Sequence, residues 1–444
     1  MMNATTPFWT LILVIVAAGP PPADAETVTV DAEAAARMAV ERSALALAAA
    51  DRVEASRSNV KAADAARLPV LRIDASVARE NAIPEFAAPI KGPDQPPVVI
   101  FPNIENSYSA GLTASQPVYS GGAISANREA ARLEESATTW SQQLTALDLA
   151  NRARVLYWSA VATASGVDVA TAQIKRSRCL LEDARALRQA GMAVDTDVFA
   201  AEARLSAAEV DLIRTRNEAE QALARLRSLL GIDADTTVIL SDARTQQVPS
   251  APSPLADLER DALENRPELK ITDARIAELG ARSRAVNAKR RPIVAATGRW
   301  LVARPNPRFL PLEDVVEDSW RVGVGASWQI FDGSRTREQA AAVDFEQRAL
   351  QHDRGEIERQ IRLEVATARL ELESALEAIV SADASAEAAA EWEEASSDRY
   401  AAGLAMLSEL LDAQADLTAA EVAQVKARAG AWMAEATLLR AVGR

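Results

Sequence analysis

One eleven-residue pattern occurs twice in this chain and limits what it can fold into more than any other feature. Gly111-Leu112-Thr113-Ala114-Ser115-Gln116-Pro117-Val118-Tyr119-Ser120-Gly121 is echoed by Gly323-Val324-Gly325-Ala326-Ser327-Trp328-Gln329-Ile330-Phe331-Asp332-Gly333, with Gly, Ala and Ser matching at a shift of 212 residues. Each copy begins with strict alternation, the period of a strand whose side chains point to two faces in turn. Past its last glycine, each becomes a long proline-free run dominated by Ala, Glu, Arg, Leu and Gln, residues that favour helix. A strand feeds a long helix, twice. The same shift carries Gly191 onto Gly403, Leu205 onto Leu417 and Gly231 onto Gly443, so the chain is read as an internal two-fold repeat.

Taken in order, Val30 to Arg67 has helical spacing, with Asp31 placed to cap it and Leu68-Pro69 to stop it. Strands are expected near 70–79 and 107–118, separated by a loop with six prolines between Pro84 and Pro102 that is expected to be irregular and exposed. From Ser120 to Ala190 there is no helix breaker, and such a run would measure roughly 105 Å as helix, far more than a globular core needs. Gly191 followed by Asp195, Thr196 and Asp197 is the grammar of a helical hairpin, a C-terminal glycine and then N-cap candidates. The second half repeats the plan: helix from Ala262 to Arg290 with Pro267 near its start, strands near 293–302 and 319–330, and a hairpin turning at Gly403. The expected divisions are a signal peptide over 1–25, a first repeat over 26–248 with its hairpin at 120–231, and a second over 249–444 with its hairpin at 334–443.

The formal charge of -14 argues against nucleic acid as a partner, since that footprint needs a basic stripe. With one histidine, His352, and one cysteine, Cys179, the chain can form no His/Cys zinc cluster and no intrachain disulfide, and has scarcely any scope for a Ser-His-Asp or Cys-His site. Cys179 is expected to be a packed thiol and His352 a solvated helix residue. No metal and no cofactor is expected. Phe8 to Ala18 is an apolar run too short to span a bilayer, followed by Ala23-Asp24-Ala25, a small-x-small cleavage site, although the n-region has no Lys or Arg. No later segment has the roughly twenty apolar residues of a spanning helix. An exported chain of this kind is either soluble or crosses an outer membrane as strands.

Four strands of about ten residues with one apolar face have the length for a tilted bilayer crossing. Four cannot close, and open edges in lipid leave backbone groups unpaired at several kcal/mol each. A barrel must then be shared among chains: eight strands from two, twelve from three, the larger leaving room for a lumen. The small and polar set Ser107, Ser109, Gly111, Thr113, Gly323, Gly325 and Ser327 suits a wet interior.

On these residues the chain resembles the TolC family of outer-membrane efflux proteins. The resemblance is carried by Gln116-Pro117-Val118-Tyr119-Ser120-Gly121-Gly122 at the strand-to-helix junction, its echo Gln329-Ile330-Phe331-Asp332-Gly333, the paired turns at Gly191 and Gly403, and Ala262-Leu263-Glu264-Asn265-Arg266-Pro267-Glu268-Leu269. It implies a mixed α and β fold, mostly helical: a homotrimeric, twelve-stranded transmembrane β-barrel with four strands per chain, continued by a long α-helical barrel in the periplasm. It implies export from a periplasm-spanning assembly, with a periplasmic adaptor and an inner-membrane pump of resistance-nodulation-division or ABC type as partners and outer-membrane lipid as surroundings. By the same resemblance Asp197, Glu409 and Asp412 fall where acids narrow the tunnel mouth, and Gly191, Met192, Gly403 and Leu404 fall at adaptor-docking tips. Acids in a first helical turn also simply complement the helix dipole. Where some relatives carry a basic residue that ties the mouth closed, this chain has Ala405, with Arg399 or Arg188 as substitutes. Tyr119 and Phe331 correspond under the repeat; aromatic residues at strand ends mark a membrane interface, and helix-to-barrel packing explains the pair as well.

A periplasmic adaptor, or a coiled-coil structural protein of an export system, is the competing class, because long Ala/Glu/Arg-rich helices alone suit any coiled coil. An adaptor, however, carries one hairpin rather than two flanked by amphipathic strand pairs. An enzyme is the weakest reading, since no nucleophile, metal cluster or phosphate loop accompanies the many acids.

Overall fold

The computed structural model describes residues 27–89, 97–233, 235–241 and 248–444; the expected signal peptide at 1–25 lies outside them. The chain is mostly helical and contains two compact units. One is formed by the described residues up to Ala39 with Arg152–Pro249 and Leu376–Met433, the other by Val40–Asn151, Ser250–Ala375 and Ala434–Arg444. Each unit draws on both sequence halves.

The second unit holds the sheet. Its strands β2 (Val70–Arg79), β5 (Asn106–Tyr119), β7 (Ile293–Arg304) and β8 (Glu317–Ser327) are antiparallel in the order β2-β5-β7-β8, following β1 (Thr27–Val30), β3 (Phe86–Ala88), β4 (Val98–Phe101) and β6 (Thr237–Leu240) in chain numbering. The central contact is between β5 and β7, one from each half. The sheet is open within the chain, with β2 and β8 as its edges. Strand β8 ends at Ser327, short of the expected Ile330, and Trp328 turns its indole N–H onto the carbonyl of Arg290 at 2.9 Å. The proline-rich loop is less irregular than expected. Pro84 and Pro89 flank β3, Pro97 and Pro102 flank β4, and the two proline-free stretches pair antiparallel with the Phe86 and Phe101 rings 6.3 Å apart.

Helices α1 (Ala32–Arg42) and α2 (Ala44–Ala65) replace the single expected run. Asp31 does cap α1, its carboxylate accepting the Ala34 N–H at 2.6 Å. Ser43 then caps α2 by accepting the Leu45 N–H at 3.2 Å, a hydroxyl inside an alanine-rich run that satisfies a new helix start. Helices α5 (Leu255–Asn265) and α6 (Pro267–Ala288) are likewise separate. Proline has no N–H and forces its predecessor out of helical geometry, so Arg266 is extended and Pro267 opens α6. The long helices follow the junctions: α3 (Ala123–Gln189) and α4 (Asp195–Leu230) in the first half, α7 (Arg335–Ala401) and α8 (Leu407–Ala441) in the second.

In the first unit, β1 and β6 form a parallel pair that the sequence does not announce. Val30 and Val238 from this pair are buried with Ala35, Tyr157, Trp158, Leu226 and Leu230. The Trp158 ring stacks on Trp432 at 5.0 Å, and the Tyr157 hydroxyl lies 3.2 Å from Ser241. Cys179 is exposed rather than packed. The buried positions of this stretch of α3 are Gln173, Ile174, Ser177, Leu180, Leu181 and Ala184, a stripe of helical period from which Cys179 is excluded. His352 is exposed on α7, as expected. Among the described residues no helix is long and apolar enough to cross a membrane.

In the second unit Arg266 is the largest fully buried side chain, at 2% exposure. It bonds Glu268 at 2.6 and 2.9 Å, Glu364 at 2.9 Å and the carbonyl of Ala441 at 3.1 Å. The sequence motif around Pro267 thus has a structural use beyond stopping α5: its arginine ties α6, α7 and the end of α8.

Candidate functional site

The sheet register sorts the alternating residues into rows. Ile73 lies opposite Leu112, Leu112 opposite Trp300, and Trp300 opposite Trp320. One row away, Leu71, Ala114, Gly298 and Val322 are matched in the same way. The apolar sets of all four strands therefore share one face. That face is bare: Ile73 is 78% exposed, Trp320 68% and Val322 74%. The opposite face carries Asp74, Ser76, Ser109, Gly111, Thr113, Gly323 and Gly325, with the Ser76 and Ser109 hydroxyls 2.8 Å apart. It also carries a row that alternation alone does not show, in which Arg72, Arg299 and Arg321 stand level with Thr113. Only the pairing register could have found it.

The two junctions between sheet and helix are built alike. Gln116 donates to the carbonyl of Arg67 at 2.7 Å, and Trp328, its counterpart under the repeat, donates to that of Arg290. Both acceptors lie two residues before a proline that opens a strand. Ser120 and Asp332 correspond as well, each accepting the N–H four residues on, from Ile124 at 3.2 Å and Thr336 at 3.0 Å. The hydrogen bonds from Thr336 hold the Asp332 carboxyl below its usual range. Gly121 and Gly333 both have positive φ, 65° and 68°. Their surroundings differ: a Cβ on Gly121 would stand 2.6 Å from the Ala288 carbonyl oxygen, while one on Gly333 would meet nothing within 4 Å. Tyr119 and Phe331 are both exposed, and Pro117 sits at the register irregularity of β5.

The helical turns also match each other. At Gly191 the Met192 N–H returns to the Leu187 carbonyl at 2.8 Å and the Gly191 N–H to Arg188 at 2.9 Å. At Gly403 the corresponding bonds run from Leu404 to Arg399 and from Gly403 to Tyr400, at the same lengths. Both are Schellman closures with a left-handed glycine, φ 75° and 69°. Val198, Ala201, Tyr400, Leu407 and Leu410 share one buried cluster, so both turns belong to one end of the first unit. Beyond it Met192, Val194, Leu404 and Met406 are exposed. Glu409 pairs with Arg399 at 2.6 Å, and Asp195 pairs with Arg188. The Asp197 carboxylate reaches the Val194 N–H at 3.4 Å, as an acid at a helix start does, and Asp412 is exposed. The Tyr400 hydroxyl is buried without a hydrogen-bond partner among the described residues. Burial first, then the charges of Asp197 and Asp183, push its pKa up.

A sheet with one apolar face is joined through glycine junctions to two long helical hairpins. The chain belongs to the outer membrane efflux protein family, whose model matches residues 35–232 and 258–444. The solved structure of the outer-membrane channel OprN matches with a TM-score of 0.73 at 20% identity, covering 93% of this chain and 89% of that one. CusC, described for conformational changes accompanying folding and transmembrane channel formation, matches with a TM-score of 0.76 at 17% identity, covering 93% and 92%. The outer membrane protein VceC from Vibrio cholerae matches with a TM-score of 0.73 at 17% identity, covering 93% and 96%. At these identities the likeness is one of fold. No curated protein sequence matches the chain. The family is one of TolC-type outer-membrane channels, not of enzymes.

Proposed function

We propose that three copies of this chain close a twelve-stranded barrel in the outer membrane, four strands from each, and that their helices continue it as a tunnel into the periplasm through which solutes are exported. The observation that carries this reading is the register: it aligns Leu71, Ile73, Leu112, Trp300, Trp320 and Val322 on one bare face while β2 and β8 keep unpaired edges. Such a sheet exposes apolar surface to water and open edges to other chains. Lipid answers the first and neighbouring protomers the second. The sequence division into repeats at 26–248 and 249–444, after a signal peptide at 1–25, fits a protomer whose two halves each supply one strand pair and one hairpin.

The helical tips are proposed to dock a periplasmic adaptor of an inner-membrane pump, of resistance-nodulation-division or ABC type. Met192, Val194, Leu404 and Met406 around Gly191 and Gly403 offer the apolar contact. Asp197, Glu409 and Asp412 are proposed to line the tunnel mouth, with Arg399 and Arg188 in the tying role for which Ala405 is unsuited. Gln116, Pro117, Tyr119, Gly121, Phe331 and Gly333 form the rim where barrel becomes tunnel.

The test is physical. The mature protein should fractionate with outer membranes, run as a heat-modifiable oligomer and conduct ions when added to a planar bilayer. A product that is monomeric and water-soluble without detergent, and silent in bilayers, overturns the proposal.

A further inference from the structure

Arg72, Arg299 and Arg321 stand at one level on the polar face of the sheet, with Thr113 between the first two. All three are exposed, and among the described residues none has an ion-pair or hydrogen-bond partner. The adjacent row toward the junctions, Val70, Ser115, Thr297 and Gly323, bears no charge, and the row beyond contributes only Asp74. Gly111, in that row, is buried, and a Cβ there would lie 3.5 Å from the Leu301 Cδ1 and 3.7 Å from the Arg299 Nε, in ordinary contact with both.

This arrangement works against the sheet. Like charges directly opposite on neighbouring strands are destabilising, and Arg299 and Arg321 are direct partners. Among the described residues no acid pairs with either of them. Guanidinium groups are always charged, and their forked donors match carboxylate and phosphate oxygens. A ring of one sign against low-dielectric walls raises the local concentration of the opposite ion.

We infer that this row is a positive belt that binds and passes anionic solutes, those bearing carboxylate or phosphate groups, through the strand end of the channel. The inference rests on the trimeric barrel proposed above, with the polar face inward; three arginines per chain then give nine on the inner wall.

Block by inorganic tripolyphosphate, added on the strand side of a planar bilayer holding the purified oligomer, tests it. The wild type should be blocked, more weakly as salt rises. The triple substitution Arg72→Gln, Arg299→Gln, Arg321→Gln should raise the half-blocking concentration by about tenfold or more, while Lys at all three positions should keep it within a few-fold of wild type. Arg321→Gln alone, on the open edge strand, should raise it by about two- to threefold and serves if the triple variant fails to assemble. A wild-type pore that conducts, but whose block is absent or indifferent to these arginines, overturns the belt and leaves the channel standing. A wild-type oligomer that never conducts overturns both.

Discussion

Two glycines with the same backbone conformation sit at the corresponding junctions, and their neighbours set different penalties for a side chain. At Gly333 a methyl group meets only the left-handed φ, so Gly333→Ala should cost about 1 kcal/mol. At Gly121 the same methyl also runs into the Ala288 carbonyl and the Arg291 Cβ, so the cost should be at least twice as large, about 2 kcal/mol or more. The temperature at which the proposed oligomer dissociates on gels should fall several degrees further for Gly121→Ala, and equal shifts would show that the Ala288 carbonyl yields freely to the methyl group. Two carboxylates give opposite pH signatures. The hydrogen bond from Arg154, opposed by partial burial, holds the Glu33 carboxyl below its usual range, so its stabilisation is present above that range and is lost as pH falls through the folded value. Burial, opposed mainly by Arg282, pushes Glu278 up, so its contribution favours the fold at low pH and is lost as pH rises through the folded value. At neutral pH Glu33→Gln should therefore destabilise and Glu278→Gln stabilise, and both differences should shrink in thermal melts at acid pH; a pH-independent offset would break the assignment. Gly121 was legible as a turn glycine from its repeat. Its contact with Ala288 was not, because 167 residues of sequence separate them.

At the level of elements, the matching hairpin turns concentrate charge where α3 meets α4 and α7 meets α8. Glu409 is tied to Arg399, whereas among the described residues Asp197 accepts only a backbone N–H at 3.4 Å, so the two acids differ in freedom. If they narrow the mouth as proposed, substituting both, Asp197→Asn with Glu409→Gln, should lower cation preference in single-channel recordings. Unchanged reversal potentials in a salt gradient would reduce them to helix-dipole partners. The long helices and both turns could be read from spacing and glycines. The breaks at Ser43 and Arg266 were harder. Ser43 interrupts a run whose period continues across it, and Pro267 is tolerated in a first helical turn, so whether the chain bends at either place depends on what the neighbouring helices offer.

For the whole molecule, the proposed barrel requires the apolar face of the sheet to meet lipid. Val322 and Gly323 are neighbours on β8 with side chains on opposite faces; the first belongs to the apolar row, and a Cβ on the second meets nothing within 4 Å. Arginine on a lipid-facing strand position costs about 2–4 kcal/mol near the bilayer midplane. Val322→Arg should thus reduce the heat-modifiable oligomer recovered from outer membranes, and Gly323→Arg should leave it intact. The reverse order would turn the proposed barrel inside out and take the arginine row off its inner wall.

Local pattern determined much of this protein by itself. Alternation marked the four long strands, glycine and proline marked the turns, and the 212-residue repeat tied them into two similar halves, because each of these signals is written in residues close together in the chain. Register and partnership belong to the tertiary structure. The pairing of β1 with β6, the seating of Arg266 among Glu268, Glu364 and the Ala441 carbonyl, and the alignment of Arg72, Arg299 and Arg321 all join residues from distant segments. A strand's period says which residues share its face but not which residues of another strand stand beside them, and a slip of two residues would keep every apolar side chain in place while scattering the arginines to different levels.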